Sequence, residues 1–183
     1  MHLILLRAFQ RQVEQQCTYA LIAIGDLNRA LLTGSQPDLW MAVQTFLGAC
    51  ANVSKACWGQ NGSKTAERKP LRDSLQIGDD SPLQPTKFRN HFEHFDERLD
   101  RWWAESPNHN MANQIIGPPN AIGGLQDIEI FKWYDPTEAT LVFWSDRFAM
   151  NDVVAEIKRI LPVARTEAGK PHWEPPSTVG MGQ

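Results

Sequence analysis

Residues 89–94, Arg-Asn-His-Phe-Glu-His, gather a permanent cation, an amide and two imidazoles on a stretch that otherwise reads as a packing helix. A guanidinium grips phosphate oxygens as a fork, and an imidazole titrates near neutral pH. Arg89 and His94 are therefore the residue types that phosphodiester cleavage needs. Each helical residue advances about 100°, so Arg89 and His94 stand about 140° apart, on opposite flanks of a stripe centred on Phe88. Asn90 and Arg101 share the His94 side. One chain does not easily close Arg89 and His94 around one phosphate, whereas a two-fold copy of the helix supplies the missing partner.

Two plainer readings compete with this one. Glu93 lies four residues after Arg89 and offers it an ordinary helical ion pair, and a histidine on the shoulder of a packed helix is commonly structural. His91 and His94 also share a face, with Glu97 or Arg98 next along it, and helical histidine pairs bind metals. A metal site wants at least three ligands, however, and the other long helices offer only Glu14, Asp26 and Asp38. No metal and no cofactor is expected, and His91, at the border of the apolar stripe, is expected to tuck against the core.

The elements that must position these residues are mostly helical. Leu6, Phe9, Val13, Cys17, Ala20, Ile24, Leu27 and Leu31 recur in steps of three and four, giving one long helix closed near Gly34. Ser35, Pro37 and Asp38 start a second, with Leu39, Val43, Phe46, Cys50, Val53 and Cys57 inward, and the short connection makes an antiparallel hairpin. Residues 59–69 form a polar loop whose Lys64, Arg68 and Lys69 can lie near a polyanion. Residues 70–77 suit a short helix. A third long helix follows Pro85 and runs unbroken to about Ala104, with Phe88, Phe92, Phe95, Leu99 and Trp102 inward and Pro107 beyond its end. Residues 108–126 are loop-like. The stretches 128–134 and 139–144, rich in β-branched and aromatic residues, flank the turn 135–138 as a β-hairpin. A last short helix is capped by Asn151 or Asp152 and ended by Pro162. The expected domain is 1–165, with the hairpin at about 128–144 and a flexible tail over 166–183.

Composition limits the classes available. The chain has 183 residues, enough for one core, and a net charge of −3, which argues against a general nucleic-acid coat but not against a local phosphate site. The apolar start, 1–6, is cut off by Arg7, Gln10 and Arg11, so neither a signal peptide nor a membrane span is expected. Cys17, Cys50 and Cys57 fall in helical apolar stripes and read as small buried residues of a reducing, cytoplasmic setting. Seven tryptophans are many for this length. Trp102, Trp103, Trp133 and Trp144 read first as glue between hairpin and bundle, and second as a platform for RNA bases. His109 follows Pro107 in a loop and is a further candidate for substrate contact.

Arg89-Asn90-x-x-x-His94, late in a helical bundle and after a long helical hairpin, resembles the arginine, polar residue, spacer and histidine signature of HEPN-domain proteins. The resemblance covers roughly residues 1–105. It implies a mainly α, HEPN-like bundle, to which the β-hairpin and short final helix are added. It further implies a metal-independent endoribonuclease that cuts single-stranded RNA at a site formed across a homodimer. His94 would serve as general base or acid, Arg89 would hold the phosphate, and Asn90 would orient the groups. Arg98, Arg101 and Lys64 are the expected substrate contacts. Bacterial defence or a toxin–antitoxin system, with a cognate antitoxin or regulatory protein, is the setting the resemblance suggests. The alternative is a non-catalytic HEPN-like module that uses the same helix to dimerise or bind a partner protein.

Overall fold

The structure, a computed structural model, describes residues 1–177 apart from 86 and 120, with the backbone alone for 87–89. The first helix, α1 (Leu3–Thr33), begins where the His2 ring accepts the Ile4 N–H at 3.3 Å. It ends at Gly34, whose φ of 70° lets the chain reverse without a Cβ clash. Helix α2 (Gln36–Trp58) returns antiparallel, as the short connection requires. Helix α3 (Lys69–Ser74) follows the polar loop. Helix α1 is the central element, packed on α2 and on α6 (Met150–Gly169). Val13, Cys17, Ala20 and Leu27 share one core with Leu39, Val43, Phe46 and Val53, and with Val153, Ile157 and Ile160. Each large aliphatic side chain buried there contributes about 1.5–3 kcal/mol. Ala42, Ala49 and Ala56 recur along one buried line of α2 and let a neighbouring backbone approach closely.

The single third helix expected after Pro85 is two. Helix α4 (Lys87–Glu93) and helix α5 (Phe95–Glu105) meet at His94, whose φ of −103° and ψ of 44° are not helical. The apolar spacing runs straight through this point, so the pattern gives no warning. The cause is tertiary: α4 packs on α2 and on the strand Asp146–Ala149, whereas α5 packs on the turn Asp127–Glu129. The bend lets one apolar stripe follow two surfaces. Hydrogen bonds continue across it, from His94 N–H to Asn90 O at 3.0 Å and from Arg98 N–H to His94 O at 3.2 Å.

The expected hairpin is the middle of a four-stranded sheet. Its strands β1 (Ile115–Ile116), β2 (Trp133–Asp135), β3 (Thr140–Phe143) and β4 (Asp146–Ala149) lie in chain order, β1 parallel to β2 and the others antiparallel. Tyr134, Leu141 and Phe143 face the bundle core, while Trp133, Val142 and Arg147 stand in register on the opposite face. Residues 127–129, part of them expected in a strand, form a 3-10 turn.

The C-terminal part also departs from expectation. Helix α6 starts at Met150 with Ala149 before it, so neither Asn151 nor Asp152 is the cap, and it passes Pro162 to reach Gly169. Pro162 is exposed, which leaves the carbonyl it cannot bond to solvent. Residues beyond the helix are tied down in place. Arg7, 2% exposed, donates to the carbonyls of Glu167, Pro171 (3.3 Å) and Glu174 (2.8 Å), and lies 3.5 Å from the Glu167 carboxylate. Gln10 extends this buried network from Arg7 to Ser74 of α3. Burial raises the Glu167 pKa, but donors from Lys170 and Ser177 outweigh it and the net shift is downward.

Candidate functional site

The two histidines of the motif have opposite environments. His91 is 4% exposed. Its Nε2 lies 2.6 Å from Asp146 Oδ2 on β4, and its Nδ1 accepts the Arg98 Nε–H at 3.3 Å. An arginine donor at Nδ1 leaves Nε2 to carry the proton toward Asp146. The ring also stacks on Phe143 at 4.6 Å, with planes 9° apart. His91 thus fastens α4 to the sheet, as a core histidine should. His94 stands at the bend with half its side chain exposed, and Glu97 is within 3.4 Å of its Nδ1. It is the imidazole a substrate can reach.

The remaining expected residues divide. Arg89 lies in α4, and its side chain falls outside the described residues. Asn90 is half-buried on the same helix. Arg98 and Arg101 lie three positions apart on one side of α5, the helix that follows His94. Both arginines reach the indole of Trp144, at 5.6 Å and 5.0 Å from its centre, and Arg101 also pairs with Glu105 at 2.9 Å. Lys64, in the distant polar loop, is paired with Glu67 at 2.8 Å, and nothing in the described geometry brings it to the others. His109 packs on Trp103 at 4.3 Å with a ring nitrogen 3.1 Å from the Trp103 carbonyl, a local structural role.

Trp102 of α5 packs on Phe131, which also meets Trp144 and Phe143, so Trp102 and Trp144 help join helix to sheet, whereas Trp133 stands on the face away from the bundle. Trp133 is buried and its Nε1–H donates to Gly117 O at 2.9 Å; Trp103 is 66% exposed. Lys132 lies over Phe92 and Phe95, at 5.3 Å and 4.8 Å from the ring centres, and burial lowers its pKa. Cys17, Cys50 and Cys57 are buried free thiols, and burial pushes Cys17 and Cys57 up to about 12. Among the described residues no group of three or more His, Cys, Asp or Glu side chains is placed to hold a metal ion.

Two features were not anticipated from the sequence. One is Asp146, the partner of His91 from 55 residues away. The other is a cleft of about 600 Å³ on the outer face of the sheet, lined by Trp133, Val142, Trp144, Arg147 and Asp127. Its aromatic and β-branched walls were legible as strands, but their shared face depends on register. The chain matches no family model, no curated protein and no solved structure. No helix among the described residues is long and apolar enough to cross a membrane.

Proposed function

We propose that this chain is a metal-independent endoribonuclease of HEPN-like design, acting on single-stranded RNA at a site completed by two-fold pairing of α4 and α5. The observation that carries this reading is the contrast within the motif: His91 is locked into the fold, while His94 is exposed at the helix bend, with Arg98 and Arg101 in the helix that follows it. Cations close in sequence to a reachable titratable group suit a polyanion.

In this mechanism His94 of one chain removes the proton from a ribose 2′-hydroxyl, and the oxygen attacks the adjacent phosphorus. The bond from phosphorus to the 5′-oxygen breaks, and the other chain's copy of His94, in its protonated form, gives that oxygen a proton. The products are a 2′,3′-cyclic phosphate and a free 5′-hydroxyl. Arg89 holds the non-bridging oxygens as negative charge builds in the pentacoordinate state, and Asn90 fixes its approach. Base, acid and counter-charge are all protein groups. A cognate antitoxin would act by covering this surface.

The second reading is a non-catalytic dimerisation module, and the Glu97 carboxylate beside His94 favours it. Cleavage of mixed single-stranded RNA in EDTA separates the two. Wild type should cut and leave cyclic phosphate ends, and Arg89→Ala and His94→Ala should each lose about 100-fold or more. Equal activity in all three, or none in any despite dimerisation, would remove the enzyme reading.

A further inference from the structure

The sheet face turned away from the bundle is not bare. Trp133, Val142 and Arg147 form a cross-strand row, and together with Pro119, Ile122 and Leu125 they line the open cleft of about 600 Å³. That volume lies within the ~300–1,000 Å³ typical of small-ligand sites. The loop before Asp127 is anchored by the Trp133 bond to Gly117 and passes the cleft with Gly123 and Gly124, which add no side chains to its wall.

Trp144 forms the edge of this cleft that meets α5. It holds a φ of 55°, a left-handed conformation that bulky residues rarely adopt. Its Nε1–H is buried without a hydrogen-bond partner among the described residues. Both features cost stability and are tolerated at an indole whose position is otherwise fixed by His91, Phe131 and Phe143. Arg98 and Arg101 lie over the same ring, and Arg147 and Asp127 are exposed at the cleft wall.

We infer that this cleft binds a nucleobase carrying a phosphate. The indole edge and apolar floor take the planar base. Asp127 accepts hydrogen bonds from its N–H groups, and Arg147 receives the phosphate. A peptide ligand would need a row of backbone partners, but β4, the strand at that edge, is only Asp146–Ala149. Through Trp144 the cleft adjoins Arg98 and Arg101 of the helix that follows His94, so on the ribonuclease reading it is a base subsite that fixes where a strand lies. The inference rests on that reading only for the source of the base; a free nucleotide has the same chemistry.

The test is equilibrium binding of a short fluorescein-labelled single-stranded RNA to the full chain carrying His94→Ala, in EDTA, with adenosine and guanosine monophosphates as competitors. Arg147→Glu, at an exposed position, should weaken RNA binding about tenfold, and Trp144→Ala by a similar factor. Arg147→Glu keeps the test valid if the tryptophan variant fails to fold. Displacement of the RNA by monophosphate at comparable concentration would identify a free nucleotide as the ligand, and weak displacement would identify a strand. RNA bound equally well by both variants would overturn the cleft while leaving the ribonuclease reading to its own cleavage assay. An absence of binding to either RNA or monophosphate, or binding of a peptide library alone, would overturn it also.

Discussion

At the scale of single residues, two histidines three positions apart have opposite surroundings. His91 bridges Asp146 and Arg98 inside the fold, whereas His94 is set at a non-helical ψ with its ring half exposed. His91→Ala should therefore destabilise the fold by about 1–3 kcal/mol, because it removes a buried ring stacked on Phe143 and its hydrogen bonds to half-buried Asp146 and Arg98. His94→Ala should leave the denaturation midpoint nearly unchanged and remove RNA cleavage. Chemical denaturation of the two variants, read beside the cleavage assay, checks both halves. The motif was legible in the sequence because Arg, Asn and His are adjacent on one segment. The tie between His91 and Asp146 was not, since a carboxylate 55 residues away carries no local pattern.

At the scale of elements, long periodic helices were legible and packed corners were not. The seams of α1 and α2 fall where the three-and-four spacing puts them, and the αL glycine ends α1 as expected. The bend between α4 and α5 was hidden because its apolar stripe is continuous; it exists to serve two different surfaces. Strands β1 and β4 were hidden for another reason: one is two residues long, and the other, Asp-Arg-Phe-Ala, has little strand character of its own. The turn at Asp127–Glu129 is held by Glu129, which is fully buried and accepts hydrogen bonds from Gln126 N (3.0 Å), Ser106 Oγ (2.9 Å) and Asn110 N (3.3 Å). The Gln126 bond leads in holding its carboxyl below the ordinary value, against the opposing effect of burial. A carboxyl with a depressed folded-state pKa stabilises the fold above its unfolded value and loses that contribution as pH falls through the folded one. Denaturation midpoints should therefore fall more steeply below pH 4.5 for wild type than for Glu129→Gln, compared at matched ionic strength. Parallel pH curves would contradict this.

At the scale of the whole molecule, α1 joins everything. It carries the core against α2 and α6, and its first two turns bear Arg7 and Gln10, which an amphipathic reading places toward solvent. They are buried because their partners come from the far end of the chain: Glu167, Pro171 and Glu174 for Arg7, with Ser74 reached through Gln10. Arg7→Ala leaves the carbonyls of Glu167, Pro171 and Glu174 short of a donor, while Lys170 still holds the Glu167 carboxylate, and should cost about 1–3 kcal/mol. Limited proteolysis should then cut within 170–177 in the variant before it cuts wild type. If the two digest alike, the C-terminal stretch does not depend on this network.

Subunit mixing probes the central claim, a phosphate site shared between two chains, most directly. Wild-type and His94→Ala protein are mixed in equal amounts, exchanged, and assayed on single-stranded RNA in EDTA. A site that needs His94 from both chains predicts about a quarter of the activity of the same total amount of wild type, since one dimer in four keeps both copies. About half the activity, with exchange demonstrated, would contradict the shared site; an inactive wild type would contradict the enzyme itself.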